Sequence, residues 1–420
     1  MKKLIFLVCL LFPHLASADS YYYNAARKAL SPIVLNQSKE IESWIFKPTN
    51  TTLLSNPRIN EILAKNQSAL LWLRKAAQEN NPGNLFGKKL PSWTPQSLLP
   101  NYGDYINLFR LDILDAKMNL GRGHFDVAEK DLIAAEEMMI QFSDEKYPPS
   151  ILPLLVAQNG FGLSYNLLLN SFQVDPHPRY LNRSLALLNQ LKNSQDCRKI
   201  FSRVTFQAKT SAHQLNAQAV GKNPFLNESG SFKAFYSKAD ADLDVLKNLS
   251  TQSCMNNNPG AVSVFLSQRP DISMEEAKLK ALSQSKINRQ KALQDYVILE
   301  AIKKTDAVSG RVFPGLITKY HVFLSGVNVL RVGLALELYR RKHGRLPRKL
   351  SQLVPVYLPV VPADSFNGFK PLIYLVKGKH FTVYSFGPWR KNVWGAVAFD
   401  WKSFLNSGSP KEPGNIVFHG

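Results

Sequence analysis

The sequence is poor in cysteine and lacks the short motifs by which many exported enzymes are recognised. Three cysteines occur in 420 residues, and no Cys-x-x-Cys pair is present, which disfavours thiol–disulfide catalysis. The histidines from His124 to His419 never pair at zinc-site spacing, and no Gly-x-Ser-x-Gly nucleophile elbow occurs. We therefore predict no catalytic residue, no cofactor and no metal site. A hydrolase site assembled from distant residues stays open as an alternative.

Acidic residues are also scarce. Lys and Arg number 52 against 31 Asp and Glu, a net charge of +21, and residues 310–420 contribute 16 basic and 4 acidic residues. This balance favours attraction to a polyanion such as anionic lipid or lipopolysaccharide, or else a solvated basic surface. No stacking platform or nucleic-acid motif is present, so we do not expect nucleic acid as a partner. The densest basic patch, our candidate polyanion site, comprises Arg340, Arg341, Lys342, Arg345, Arg348 and Lys349.

The segment Met1–Ala18 has the pattern of a secretory signal peptide. Lys2 and Lys3 precede an apolar run from Leu4 to Phe12, and Ala16-Ser17-Ala18 supplies small residues before a cleavage site. The apolar run is too short to span a membrane. We therefore expect cleavage after Ala18, a periplasmic or secreted protein, and no transmembrane span in the mature chain.

Two cysteines, Cys197 and Cys254, remain after such cleavage. In an oxidising compartment two remaining cysteines favour one disulfide, and two buried free thiols are the alternative. Cys254 lies in the polar stretch TQSCMNNNPG, which predicts a loop. A disulfide would tether this loop to the start of a helix at Cys197.

Residues 19–312 are predicted to form an all-α domain of helical hairpins. Helices are predicted over Tyr21–Trp44 and Asn60–Gln78 from their apolar spacing. Small residues at helical spacing within Tyr105–Phe142 predict a helical hairpin, either a single tetratricopeptide-type unit or an ordinary antiparallel pair. Tyr147–Val174 carries no charge, which predicts a central core helix.

The most strongly patterned helix lies further on, over Val322–Lys342. Aliphatic residues occupy nearly every face before Glu337, so we predict one continuous helix buried on two sides, by the strands and by the helical domain. Gly326 and Gly333 lie almost on one line of it and predict close packing there. A domain boundary is expected in Thr305–Pro314.

The segment after this helix predicts a small sheet. PLIYLVKGKHFTVYSFG, residues 371–387, has the alternation and the Lys-Gly-Lys turn of a β-hairpin, and Asn367-Gly368 predicts a turn before it. AVAFDW, residues 396–401, predicts a third strand. We assign residues 313–407 to an α+β module and 408–420 to a C-terminal tail.

This module resembles the globular half of the major pseudopilin of type II secretion. The resemblance rests on LALELYRRKHGRLPRKLSQLVPVYLP, then VPADSFNG, LIYLV and FTVYSFG, which together cover roughly a fifth of the chain. It implies a long helix packed on a small antiparallel sheet. That family carries an acidic calcium loop after the Val-Tyr-Ser-x-Gly strand. Here the place holds the basic, aromatic stretch from Gly387 to Asn392, so no metal site is carried over.

The expected fold class is mainly α, with a helical-hairpin domain followed by a small pseudopilin-like α+β module. The leading functional hypothesis is a non-catalytic exported protein whose helical domain presents a surface to a protein partner in the cell envelope. The alternatives are an exported hydrolase with a site in a groove of the helical domain, and a polyanion-binding envelope protein that uses the basic patch.

Overall fold

The computed structural model confirms a mainly helical chain with a small antiparallel sheet near its C-terminus. It describes residues 21–78, 99–144, 152–174, 176–206, 244–245, 247–258, 289–408, 410 and 412–420. Only the backbone is described for residues 21, 35, 99–102, 144, 152 and 289–314. The predicted signal peptide lies outside these residues.

The described N-terminal part consists of helices. The helices are α1 (Tyr21–Ala29), α2 (Pro32–Asn36), α3 (Ser38–Phe46), α4 (Thr51–Leu54), α5 (Pro57–Lys65), α6 (Gln67–Gln78), α7 (Leu99–Gly121), α8 (Phe125–Asp144), α9 (Leu152–Gln173) and α10 (Pro178–Ser194). A further helical stretch spans 197–206. The predicted hairpin over Tyr105–Phe142 is confirmed as α7 and α8, and the predicted core helix as α9.

Two predicted long helices are each broken in the structure. Pro32 begins a new helix after Ser31, because proline lacks the N–H that an uninterrupted helix would need. Asn66 separates α5 from α6 and is fully buried. Its side chain accepts from the Ser31 backbone N–H at 2.8 Å and donates to the Ile62 carbonyl at 2.7 Å. Asn66 thereby ties the two breaks together, a tertiary contact that local spacing does not reveal.

Helix α11 (Arg289–His343) is much longer than predicted. It runs without a break through Thr305–Pro314, where we expected a domain boundary. By their contacts the residues form two compact units, one comprising Met1–Ser229 with Val322–Gly420 and the other Gly230–His321. The C-terminal module and the N-terminal helices thus belong to one unit.

The C-terminal segment contains the predicted hairpin and a third strand at a different place. Its elements are β1 (Ala363–Asp364), β2 (Lys370–Pro371), β3 (Ile373–Lys377), β4 (His380–Ser385), α12 (Trp401–Ser407), β5 (Ile416–His419) and a 3₁₀ helix over Leu350–Leu353. β1 pairs with β2, and the main sheet has the order β3-β4-β5, antiparallel throughout. In register, Ile373 lies opposite Tyr384 and Thr382 opposite His419.

The predicted strand over residues 396–401 is wrong. Ala398 makes only an isolated bridge with Asn415, and Asp400 caps α12 by accepting from the Ser403 backbone N–H at 3.0 Å. An aspartate at a helix N-cap satisfies an otherwise orphaned donor, so the chain turns into a helix there. The third strand comes instead from Ile416–His419, within residues predicted as a tail.

The prediction that Val322–Lys342 is one helix buried on two sides is confirmed. Leu334 is 0% exposed. Along the glycine line, a Cβ at Gly326 would lie 2.7 Å from the Phe161 ring of α9, and Phe418 of β5 packs directly against the backbone at Gly333. A second face contacts α10, where Arg331 reaches Asn189. Each glycine lets an aromatic ring approach the helix axis, as the shared line predicts.

The segment Gly315–His343 has, among the described residues, the length and apolar composition of a membrane-spanning helix. Of its most apolar window, 94% is buried inside the protein. A core helix passes the same test, so length and composition are only a weak indication.

Candidate functional site

The basic patch is divided by the structure into engaged and exposed cations. Arg340 binds Glu337 at 2.6 Å and also donates to the Lys379 carbonyl at 3.3 Å. Arg341 donates to the Pro176 carbonyl at 3.0 Å. These two arginines therefore help hold the end of α11 in place. The other cations of the patch, Lys342, Arg345, Arg348 and Lys349, are exposed.

A second basic surface lies in the loop Gly387–Gly395, which we call the tryptophan loop. Trp389 is 48% exposed and Trp394 is 71% exposed, and Arg390 and Lys391 between them are exposed too. Folding alone does not explain two indole rings left in water, since burial of a tryptophan is favourable. Tryptophan and arginine are the side chains most enriched at the energetic centres of protein interfaces.

The side chain of Asn415 anchors the backbone of the tryptophan loop by hydrogen bonds. This buried side chain accepts from the backbone N–H groups of Val393 at 3.2 Å and Gly395 at 2.9 Å. It also donates to the carbonyls of Phe386 at 3.2 Å and Lys391 at 3.0 Å. One amide thus fixes several points of the loop, and the two indoles are presented on a preorganised backbone.

The backbone of the loop is strained at two positions. Arg390 and Trp394 have φ of 52° and 58°, in the left-handed region that non-glycine residues seldom adopt. Such conformations cost of order 1–3 kcal/mol and persist where the surrounding structure holds them, often at functional sites.

Exposed apolar side chains are concentrated in the C-terminal module. Fifteen large hydrophobic residues are exposed among the described parts of the chain, and eight of them lie between residues 356 and 397. The eight are Val356, Val360, Phe369, Leu375, Val376, Trp389, Trp394 and Val397. We expected the partner surface on the helical domain, whereas the apolar exposure favours the C-terminal module.

The helical part contains a cluster of carboxylates that the sequence analysis did not single out. Asp115 on α7 and Asp131 on α8 each bind Arg74 of α6 at 2.6 Å. Asp112 lies one helical turn before Asp115, and neither of its carboxylate oxygens has a hydrogen-bond partner among the described residues. Asn119 adds a weaker hydrogen bond to Asp131 at 3.4 Å.

Burial dominates the electrostatics of this cluster. It raises the pKa of Asp112 well above the ordinary aspartate value, and the charge of Asp131 raises it further while Arg74 opposes the change. Burial likewise raises the pKa of Asp131. Asp112 and Asp131 are 1% and 0% exposed, and both carboxylate oxygens of Asp112 are shut off from water. We interpret the cluster as a structural feature with pH-dependent stability.

The two predicted disulfide cysteines are brought together. Cys197 and Cys254 lie at disulfide-bonding distance, and both are buried. The prediction of a loop at Cys254 is wrong, since residues 247–255 are helical. His321 contacts the Cys254 carbonyl at 2.6 Å through Nε2.

Within the described ranges, no group of three or more His, Cys, Asp or Glu side chains is arranged to hold a metal ion. The stretch from Gly387 to Asn392, where the resembling family has its acidic calcium loop, carries an exposed indole and exposed cations. The basic, aromatic composition of that stretch was the sequence signal for this surface, but exposure and anchoring by Asn415 became visible only in the fold.

Comparison with known proteins identifies no relative for this chain. No family model matches it, and no curated protein or solved structure does so either.

Proposed function

We propose that this is a non-catalytic exported protein that binds a protein partner in the cell envelope through the tryptophan loop. The observation that carries the proposal is the pair of exposed indoles, Trp389 and Trp394, on a loop whose backbone Asn415 fixes. Preorganised aromatic side chains bind with little loss of conformational entropy, because their backbone is already ordered.

The energetic argument concerns the area that the two indoles can bury. An aromatic side chain buries about 150–250 Å² on full burial. Trp389 and Trp394 are 48% and 71% exposed, so only part of this area is left to bury, which at about 25 cal/mol per Å² corresponds to roughly 2–4 kcal/mol per side chain before association costs. Removing an interface tryptophan of this kind typically costs at least about 2 kcal/mol of binding energy.

Charge specifies the kind of partner. Arg390 and Lys391 stand between the indoles, and residues 310–420 carry 16 basic against 4 acidic side chains. We therefore infer a partner surface that is acidic at its rim and apolar at its centre. Complementary charge of this kind mainly accelerates association and suppresses wrong partners.

Export is part of the proposal and rests on two features. The segment Met1–Ala18 has the pattern of a cleavable signal peptide, and Cys197 and Cys254 lie at disulfide distance. Disulfides persist in oxidising compartments such as the periplasm. The resemblance of the C-terminal module to a type II secretion pseudopilin would place the partner in a secretion or envelope assembly.

The test is affinity capture of the full-length exported protein from a detergent extract of its own envelope. A double variant, Trp389→Ala with Trp394→Ala, should lose a partner that the wild-type protein retains. Leu71→Ala is the matched control, because Leu71 is an apolar residue on α6 that is about as exposed as Trp389. Thermal unfolding should show that the double variant is as stable as the wild-type protein. Equal capture by all three proteins would contradict the proposal.

A second candidate function, polyanion binding, is favoured by the exposed cations of the basic patch. A combined variant, Lys342→Gln with Arg345→Gln, Arg348→Gln and Lys349→Gln, changes only these exposed cations and forms a further arm of the same experiment. If this variant loses salt-sensitive retention on heparin or anionic vesicles while the tryptophan variant keeps it, the patch and not the loop is the binding surface. If every variant is retained on heparin or anionic vesicles as well as the wild-type protein, the basic patch is not a specific polyanion site but a solvated basic surface.

A further inference from the structure

Arg331 occupies an unusual position near the middle of α11's buried half. Its side chain is almost entirely removed from water, with the residue 2% exposed. Nε donates to the Asn189 Oδ1 of α10 at 2.6 Å, and Nη1 donates to the Asn328 Oδ1 one turn earlier at 2.9 Å. Both partners are neutral amides. Arg331 forms no ion pair with a carboxylate of the described residues.

Other arginines in partly buried positions differ from Arg331 in this respect. Arg27 pairs with Asp104, Arg74 with Asp115 and Asp131, and Arg110 with Glu42. Buried charges in folded proteins are generally paired, because an isolated ion is costly to remove from water. Among the described residues the guanidinium of Arg331 is held only by amides, so none of their carboxylates compensates its positive charge.

A second cation, Lys192, lies near Arg331, whereas no described carboxylate bonds to it. Because arginine only donates, the two asparagines must turn their carbonyl oxygens towards it, and their NH₂ groups then face other partners. Lys192, one turn beyond Asn189 on α10, lies close enough for the Arg331 charge to lower its pKa, although burial is the larger cause. Burial lowers the pKa of Arg331 itself to about 10.

We propose that Arg331, Lys192, Asn189 and Asn328 form a binding site for a small oxyanion, a carboxylate or a phosphate group. No described residue accepts a hydrogen bond from Nη2, so both of its N–H groups remain for the ligand, and Lys192 supplies a second positive charge. Paired N–H donors of arginine match the spacing of two carboxylate or phosphate oxygens. The site lies away from the tryptophan loop in sequence and does not depend on the function proposed for that loop.

The experiment measures thermal unfolding of the full-length protein in potassium chloride, potassium phosphate and potassium acetate at matched ionic strength and pH 7. A ligand that binds only the folded state raises Tm with a saturable dependence on its concentration. We expect phosphate, acetate or both to raise Tm above the chloride value. Phosphate alone would identify a phosphate site, and acetate alone a carboxylate site. No rise with either anion would overturn the proposal.

Two variants separate binding from folding. Arg331→Met should abolish the anion-dependent rise, and its Tm in chloride should equal or exceed that of the wild-type protein, because an unpaired buried charge is removed. Lys192→Gln should weaken the anion affinity by about 10-fold or more, the loss expected for one charged hydrogen bond. If Arg331→Met fails to fold, the anion affinity of Lys192→Gln alone tests the proposed site. Arg179→Gln, which changes an exposed arginine on α10, is the control and should behave as the wild-type protein. An unchanged anion effect in both Arg331→Met and Lys192→Gln would contradict the assignment.

Discussion

Two buried sites in the same compact unit have opposite balances of charge. Around Arg74, three helices bring together one cation and the carboxylates of Asp112, Asp115 and Asp131. Around Arg331, two helices surround a cation with the amides of Asn189 and Asn328. The first site has an excess of acid and the second an excess of base.

The difference shows how each site should couple stability to solution conditions. Excess buried acid makes the folded state bind protons more readily than the unfolded chain, so stability depends on pH. Excess buried base makes the folded state attract an anion, so stability should depend on the ligand. A buried arginine therefore stabilises the folded state at the first site and, without an anion, destabilises it at the second.

The largest expected effect comes from Arg74→Met. Without Arg74 the carboxylates of Asp115 and Asp131 stay buried without the cation that bonds them, and only the charge of Arg122 still acts on Asp115. Removing one partner of a buried ion pair typically costs about 3–5 kcal/mol. We expect a loss of this size in the free energy of unfolding at pH 8, measured by urea titration. The loss should be smaller at pH 5, where the carboxylates bind protons.

Arg331→Met is the matched substitution for Arg74→Met, because it removes the same side chain from a site that has no described carboxylate. In chloride it should leave the free energy of unfolding unchanged or raise it. Equal destabilisation by the two substitutions would show that the two sites do not differ in the way described.

A substitution in the apolar part of α11 should rank next. Leu334 is fully buried, and Leu334→Ala removes apolar contacts and leaves a cavity, which typically costs about 2–5 kcal/mol. This loss should be the same at pH 5 and pH 8, since no titrating group is changed. A pH-dependent loss would mean that the packing of α11 and the carboxylate cluster are coupled.

Asp112→Asn should have the smallest effect and the opposite sign. The pKa of Asp112 is raised in the folded state, so the folded protein binds more protons than the unfolded chain between about pH 4 and the raised value. Stability from this group is therefore present at low pH and is lost as pH rises through that window. Asparagine is neutral throughout, so we expect a gain of about 1 kcal/mol at pH 8 and almost none at pH 5.

The measurement for Asp112→Asn is the difference in unfolding free energy between variant and wild type at the two pH values, which cancels the titration of the rest of the chain. Asp126→Asn on α8 is the control, because Asp126 is exposed. A gain that is equal at both pH values would contradict a raised pKa for Asp112.

Much of the fold could be predicted because its signals are local. The alternation in residues 371–387 is a property of the hairpin alone, and Gly378 provides the turn that it predicts, with φ of 64°. The aliphatic surface of Val322–Lys342 predicts burial on two sides whatever its neighbours are. Local signals failed where a tertiary contact prevailed, as at Asn66, which interrupts a helical pattern to bind the backbone of Ser31.

The tryptophan loop could be predicted only in part. Its basic and aromatic composition is visible in the sequence, but a tryptophan in such a stretch is as compatible with a core as with a surface. Trp401, which follows closely, is buried, whereas Trp394 is largely exposed. Asn415 makes the difference by fixing the loop backbone, and it does so from a segment that approaches the loop from beyond α12 in the chain.

The sequence by itself determined the helical class, the apolar character of Val322–Lys342 and the excess of positive charge, because each depends on residue type and near spacing. Only the tertiary structure decided which charges are compensated. Arg74 and Arg331 both lie in helices of mixed composition. The periodicity of a helix identifies its buried face, but it does not identify which side chain of another helix packs against a residue on that face. Because the energy of a buried charge depends on that partner and on the exclusion of water, it is set by packing between segments far apart in the chain.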